Sequence, residues 1–474
     1  MSEYQYNKVT PEMIEKFKEI APKRVLVGDE INEDFTHDEM AIYGKARPEV
    51  LVEATSTEEV AAVVKLCNEN KVPVTPSGAR TGLVGGAVSI GGGVMISLTK
   101  MNKILGYDKE NFVVKIQSGV LLNDLAQDAE KQGLLYPPDP GEKFATVGGN
   151  VATNAGGMRA VKYGCTRDYV RAMTVVLPTG EIVKLGATVS KTSSGYSLLN
   201  LMIGSEGTLG IITELTLKVI PAPKSVISLI IPYENLEDCI ATVPQFFMHH
   251  LAPQALEFME KEVVMDTEKF LGKQVYPKEL EGTEIGAYLL ATFDGNSEEL
   301  EDIIEQASEV VLEAGAIDVL VADTPALKKD AWAVRGALLE AIEADTVLLD
   351  ECDVVVPTNK IAEFLTYTKS LEAEADFRVK SFGHAGDGNL HIYTCSNDME
   401  EGEFKKQVAV FMDKVYAKAT EFGGMISGEH GIGHGKMDYL AESLGPVQMR
   451  IMEGVKEVFD PNMILNPGKI CYKL

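Results

Sequence analysis

The chain has 474 residues, enough for two or more domains with separate cores. Lys and Arg number 44 against 71 Asp and Glu, and the net charge of −27 argues against a phosphate-backbone binder, which needs a basic face. No uncharged apolar stretch approaches the about 20 residues that span a bilayer. The opening residues lack the apolar run of a signal peptide, and the six cysteines are scattered without a C-x-x-C pair. A reduced, cytoplasmic protein without a cysteine-rich iron–sulfur site is expected.

Residues 1–46 read as a polar helix followed by irregular chain. From Val50 strands and helices alternate. Ser56-Thr-Glu-Glu59 has the form of a capping box, and Val60, Val63, Val64 and Cys67 then share one helical face. Strands are predicted at residues 72–75, 94–98, 112–117, 173–177 and 211–219, with a helix over 121–132. The double-proline run Ile220-Pro-Ala-Pro-Lys224 marks a change of character. After it, strand-like runs at 226–231, 284–293, 319–321, 353–356, 378–382 and 390–393 alternate with acidic amphipathic helices at 297–314 and 360–375. That pattern predicts a second α+β domain, residues 222–425, with helices over an antiparallel sheet. A helical segment near 405–422 leads into a closing segment, residues 426–474.

Three stretches of the first half share one chemistry: Pro76–Gly86, Pro138–Gly157 and Gly204–Gly210. Glycine with interleaved Ser, Thr and Asn exposes backbone N–H groups and small hydroxyls, which suit a diphosphate and a polar ring edge. No G-x-G-x-x-G follows an opening strand, so a Rossmann site for NAD is unsupported. Gly431-Ile-Gly-His-Gly-Lys436 departs from a P-loop, with His430 at the first glycine position and Met437 in place of Ser or Thr.

Histidine is distributed unevenly. Of seven, four lie between 384 and 434, and none lies between His37 and His249. His384 and His391 flank a Gly-Asp-Gly-Asn turn that should bring them together, and Glu429 is a natural third ligand. Two imidazoles and a carboxylate form a recurrent site for zinc, iron or manganese. His434 reads either as support for that site or as a surface turn. Asp387 and Asn389 read as turn formers and Trp332 as packing.

Together these motifs and the terminal Asn466-Pro-Gly-Lys469 resemble one family over nearly the whole chain. Residues 47–221 are similar to the PCMH-type FAD-binding domain of the vanillyl-alcohol-oxidase flavoproteins. The second half resembles the cap domain of their D-2-hydroxy-acid dehydrogenase branch, which holds D-lactate dehydrogenases, glycolate oxidase catalytic subunits and D-2-hydroxyglutarate dehydrogenases. The resemblance implies an α+β fold: a PCMH-type domain of two α/β subdomains, an α+β cap with an antiparallel sheet, and a short C-terminal helical segment. It implies that Ser77, Gly78, Ala79, Arg80, Thr81 and Gly82 cradle the FAD pyrophosphate. Pro138, Asp139, Thr146, Gly148, Gly149, Asn150, Thr153 and Asn154 would line the isoalloxazine and ribityl. Glu206, Gly207 and Ile212 would lie near the adenosine, and Asn466 belongs to the same cofactor set. Arg80 stands where many relatives have a small residue, so a phosphate contact is one reading of it.

By the same resemblance a divalent metal sits on His384, His391 and Glu429, His430 is the general base, and Arg335 clamps the substrate carboxylate. The histidine-free FAD domain predicts noncovalent FAD, since His37 is the one histidine upstream of it. The chain is most similar to the catalytic subunit of lactate dehydrogenases of anaerobic bacteria. Those work with a two-subunit electron-transferring flavoprotein in an electron-bifurcating complex. D-Lactate oxidation is therefore expected, with glycolate oxidase and D-2-hydroxyglutarate dehydrogenase as near alternatives. A metallohydrolase or a non-catalytic electron-transfer subunit are the alternatives from other classes.

Overall fold

The computed structural model describes residues 5–280 and 282–473, so the first four residues of the predicted N-terminal segment lie outside the described residues. The backbone divides into two compact units, one of residues 1–156, 165–222 and 429–474, the other of residues 157–164 and 223–428. The division after Ala222 falls inside the double-proline run.

In the first unit the helix Pro11–Ile20 begins at Thr10, whose hydroxyl accepts the Met13 N–H at 3.3 Å. It packs Met13 and Phe17 into the same core as Val60, Val63, Val64 and Cys67 of the helix Thr57–Glu69. That helix takes one half of the predicted capping box: Ser56 accepts the Glu59 N–H, whereas the Glu59 carboxylate turns to Arg24 at 2.5 Å and to the Thr55 N–H at 2.8 Å. A four-stranded sheet runs in the order Val25–Val27, Val50–Glu53, Val94–Ser97, Val74–Ser77, the last three parallel. A second sheet of five strands is antiparallel throughout, in the order Ile104–Asp108, Val113–Gln117, Ile211–Lys218, Val170–Val176, Ile182–Gly186. Its two outer strands do not follow from the sequence, because an exposed edge needs no apolar pattern.

The chain returns to this unit through the helix Met437–Phe459, which kinks at Gly445 (φ 76°) before Pro446. Residues 464–466 then lie beside the edge of the parallel sheet, where Val74 N–H donates to the Ile464 carbonyl at 2.8 Å and Asn466 N–H to the Val74 carbonyl at 2.7 Å.

The second unit is built on a seven-stranded sheet in the order Leu320–Ala322, Ser225–Tyr233, Ala287–Gly295, Ala255–Glu260, Arg378–His384, Asn389–Ser396, Leu348–Val355. Every pairing in it is antiparallel, as expected. Tyr288, Leu290, Met259, Phe382 and Tyr393 on one face pack against Val263 and Val264 of the helix Lys261–Leu271, Ala331 and Val334 of Pro325–Gly336, and Leu338 and Ile342 of Leu338–Ala344. The segment 157–164 is an excursion of chain held here by Asp294, which accepts from Lys162 at 2.5 Å and from the Tyr163 hydroxyl. No helix among the described residues is long and apolar enough to cross a membrane.

Candidate active site

In the first unit, the strand Val74–Ser77 runs directly into the predicted pyrophosphate loop. Among the described residues no backbone N–H from Gly78 to Val84 donates a hydrogen bond. A consecutive run of such donors fits an anion with several oxygens. The loop presses on the helix Val147–Thr153, whose N-cap Thr146 accepts the Gly149 N–H at 3.3 Å. A Cβ on Gly78 would lie 2.3 Å from the Thr146 Oγ1, and one on Gly148 would lie 2.5 Å from the Ser118 Cβ. Ser77, Thr146, Asn150 and Ile212 are buried; Thr153 bonds back to the Gly149 carbonyl at 3.4 Å. Asp139 pairs with Lys143, and Asn154 takes a left-handed conformation (φ 55°) with its Oδ1 accepting from Arg167 N–H. Gly207 (φ 69°) has room for no Cβ, which would meet Pro76 at 2.5 Å.

Arg80, Asn466 and Glu206, also predicted for the cofactor, are engaged by the protein itself. Arg80 stacks its guanidinium 4.0 Å from the Phe35 ring centroid and donates to the Asp34 carbonyl at 2.8 Å. Asn466 donates to the carbonyls of Gly86 and Glu206 at 2.9 and 2.8 Å. Glu206 is buried, and its two oxygens accept the Ile432 and Gly433 N–H groups at 2.8 and 2.7 Å. His37 points its Nδ1 at the Asp38 carbonyl, 2.7 Å away. FAD held by this cradle without a covalent bond should leave on acid precipitation, giving a yellow supernatant; a yellow pellet would show a bond.

A buried ionic group that the sequence does not show surrounds the same loop. Asp38 accepts the Gly85 N–H at 2.6 Å, and Lys469 donates to the Val88 carbonyl at 2.7 Å. Burial pushes the Asp38 carboxyl up to about 6, and burial pushes Lys469 down to about 7 against the attraction of Glu206 and Asp38. His434 lies where a Cβ on Gly85 would be, 2.4 Å from its Nε2. Burial, and secondarily the Lys469 charge, hold its imidazole down to about 4 from the ordinary 6.5. Between those values the unfolded chain takes up a proton at His434 and the folded chain does not, so stability falls as pH drops from 6.5 towards 4. His434→Gln should flatten that part of the profile, read as the difference in Tm between variant and parent across pH 7.5 to 4. Parallel curves would remove His434 from the account.

The histidine pair lies in the second unit. Its hairpin pairs His384 with Asn389 and Phe382 with His391, which puts both imidazoles on one face. The rings are 5.3 Å apart at 87°, with a nitrogen of each within 4.8 Å of the other's. His384 Nδ1 lies 2.9 Å from both oxygens of Glu257, so Nδ1 carries the proton and Nε2 keeps its lone pair. Glu257 also binds Arg335, from Nε at 2.8 Å and Nη2 at 2.6 Å. Although burial alone would raise it, the Arg335 charge and the hydrogen bonds from His384 and Arg335 hold the Glu257 carboxyl below its ordinary range. Arg335 lies 4.9 Å from the Phe382 ring centroid, and its guanidinium, with five N–H donors, has more than Glu257 uses. His391 Nδ1 is 3.5 Å from Glu351.

Asn389 donates to Asp353 at 2.6 Å, and Asp353 also accepts from the Ser427 hydroxyl and the Gly428 N–H at 2.8 and 3.0 Å. Asn389 therefore shapes the hairpin, as expected, and Asp353 fixes the chain one residue before Glu429. Trp332 packs beside the apolar core and donates to the Ser228 hydroxyl at 3.1 Å. Glu429 and His430 belong to the first unit, where the Glu429 carboxylate lies 3.1 Å from the position of a Cβ on Gly156 and 3.6 Å from His430 Nε2.

Glu257, Glu351 and Asp353 are buried carboxylates around the histidine hairpin that the sequence does not point to. All three are buried in strands, at positions where an apolar side chain is the rule. The available signal was a carboxylate inside Ala255-Leu-Glu-Phe-Met-Glu260, and carboxylates two apart in Glu351-Cys-Asp353.

Residues 48–186 match the FAD binding domain family, and residues 222–470 match the FAD linked oxidases, C-terminal domain family. The chain is 40% identical to the D-lactate dehydrogenase of Archaeoglobus fulgidus, over 90% of this chain and 92% of that protein. It is 36% identical to glycolate oxidase subunit GlcD of Bacillus subtilis, over 90% of each. Its fold superimposes on p-cresol methylhydroxylase with a TM-score of 0.79 at 19% identity, covering 98% of each chain.

Proposed function

Because the chain belongs to the FAD-linked oxidases, we propose that it oxidises a D-2-hydroxy acid, D-lactate to pyruvate in the first instance, and hands the electrons to an electron-transferring flavoprotein. The observation that carries this reading is the buried face holding His384, His391, Glu257 and Arg335 together in a protein that also carries an FAD cradle.

The chemistry of the donor set fits a divalent metal. His384 and His391 would offer imidazole nitrogens, with the His384 tautomer set by Glu257, and the family resemblance assigns Glu429 as the third ligand. When bound, a metal there would supply a Lewis acid that eases ionisation of the substrate hydroxyl, and FAD would supply the acceptor for the C2 hydride. His430 removes the hydroxyl proton. The free donors of Arg335 bind the substrate carboxylate, with Glu257 aiming the guanidinium. Ser77 to Gly82 would hold the pyrophosphate, the backbone N–H groups from Gly78 onward serving as donors; Thr146, Gly148, Gly149, Asn150, Thr153 and Asn154, with Pro138 and Asp139, would hold the rest of the cofactor. The six cysteines form no disulfide and are scattered along the sequence, which fits an outside electron acceptor, here the NAD- and ferredoxin-linked flavoprotein of a bifurcating complex. Glycolate and D-2-hydroxyglutarate are the competing substrates for the same chemistry.

The test is anaerobic bleaching of the bound flavin by D- and L-lactate, glycolate and D-2-hydroxyglutarate. D-Lactate should bleach fastest and its L-enantiomer at least about a hundredfold more slowly. A flavin that none of these acids bleaches would refute the proposal.

A further inference from the structure

Glu206 was expected at the adenosine end of the cofactor, yet every polar atom of this residue is committed to the protein. Its N–H donates to the Ala152 carbonyl at 2.8 Å, and its own carbonyl accepts from Asn466. Its carboxylate oxygens accept the N–H groups of Ile432 and Gly433. The backbone adopts φ 50°, a left-handed conformation that is uncommon away from glycine and is sustained by surrounding contacts. Burial raises the carboxyl pKa, opposed by the two N–H groups and by Lys469.

The loop that Glu206 grips is built to meet it. Gly431 (φ 87°) brings its backbone so close that a Cβ would lie 2.8 Å from Glu206 Oε1. Gly433 (φ 51°) passes the Val84 carbonyl, which a Cβ would approach to 2.0 Å, and Gly435 N–H donates to that carbonyl at 3.1 Å. One carboxylate thus fixes the two residues that start two positions after His430. Each of the two N–H groups has its own carboxylate oxygen, and an amide in that place would turn an NH2 towards one of them.

We infer that Glu206 is a positioning residue for the Glu429-His430 pair, acting through the Gly431–Gly433 backbone and not on the cofactor. The inference rests on the proposed roles of Glu429 and His430. Glu206→Gln keeps the volume but presents an amide NH2 to one of the two N–H groups. Glu206→Asp keeps both oxygens on a shorter arm, and serves should the first variant fail to fold.

The experiment compares both holoproteins with the parent by FAD content, by hydrogen exchange over residues 428–436, and by the limiting rate and substrate dependence of anaerobic flavin reduction. In Glu206→Gln, exchange at Ile432 and Gly433 should quicken at least about tenfold and the limiting reduction rate fall about tenfold to a hundredfold. FAD content and the substrate concentration for half-maximal rate should stay within about twofold, with Glu206→Asp intermediate. FAD lost in proportion to the rate would place Glu206 on the cofactor and overturn the inference. Faster exchange with an unchanged limiting rate would make it structural only and overturn it too. A parent enzyme that no acid bleaches refutes the proposed function instead, while exchange and FAD content still decide whether the carboxylate grips the loop.

Discussion

His430→Ala is expected to slow substrate-driven flavin reduction by about 10²- to 10⁴-fold, the usual contribution of a positioned general base, while the purified protein stays yellow. The side chain is only partly buried, 17% exposed, and stands beside Glu429 at 3.6 Å. A variant that keeps its FAD and its Tm assigns the loss to proton transfer and not to folding. Raising pH should rescue part of the rate, because hydroxide or a more readily ionised substrate replaces the missing base. Chemical reduction by dithionite should be unaffected. A non-catalytic electron carrier predicts the opposite: the variant would behave as the parent in every assay of electron acceptance, and a rate within about threefold of the parent would remove His430 from the mechanism.

Glu257→Ala should be the most destabilising single change in the second unit. It leaves Arg335 and His384 buried without their carboxylate, and breaking a buried pair costs about 3–5 kcal/mol. Glu257→Gln preserves shape and should cost less stability, yet it no longer fixes the His384 tautomer by charge, so metal affinity should fall about 10- to 100-fold. The combined variant Glu257→Ala with Arg335→Met should regain stability relative to Glu257→Ala, since the stranded cation is gone, without regaining metal. Because Glu257 is held below its ordinary carboxylate range, its contribution is complete above about 4.5 and is lost as pH falls beneath that. Equal metal affinity in Glu257→Gln and parent would show that the carboxylate aims Arg335 alone.

The regular elements of the first unit were legible where burial is one-sided. The helix Thr57–Glu69 has its cap and its apolar stripe, and the structure follows both. Edge strands such as Ile182–Gly186 were not legible, because alternating exposure leaves a polar sequence. The central strand Ala255–Glu260 was missed for the reverse reason: both faces are covered, and one holds a carboxylate whose partners lie 78 and 127 residues away. The same distance hides the site. His384 and His391 announce themselves through a short turn, whereas Glu257 enters only through sheet register, opposite His384. The pyrophosphate loop could be named from glycine content, but the engagement of Arg80 with Phe35 and of Glu206 with Ile432 and Gly433 depends on chain returning from both termini. Composition also gave no sign that residues 157–164 leave the first unit.

We propose that a metal held by the histidine pair and a flavin held by the glycine cradle serve the oxidation of one hydroxy acid. Single-turnover anaerobic bleaching by D-lactate measures it directly, in holoprotein stripped of divalent metal with its FAD retained and then resupplied with Mn²⁺, Fe²⁺ or Zn²⁺. The stripped enzyme should keep a yellow, unbleached flavin and regain bleaching on adding metal, with no restoration in His384→Ala. Bleaching of the stripped enzyme at the full rate would contradict it.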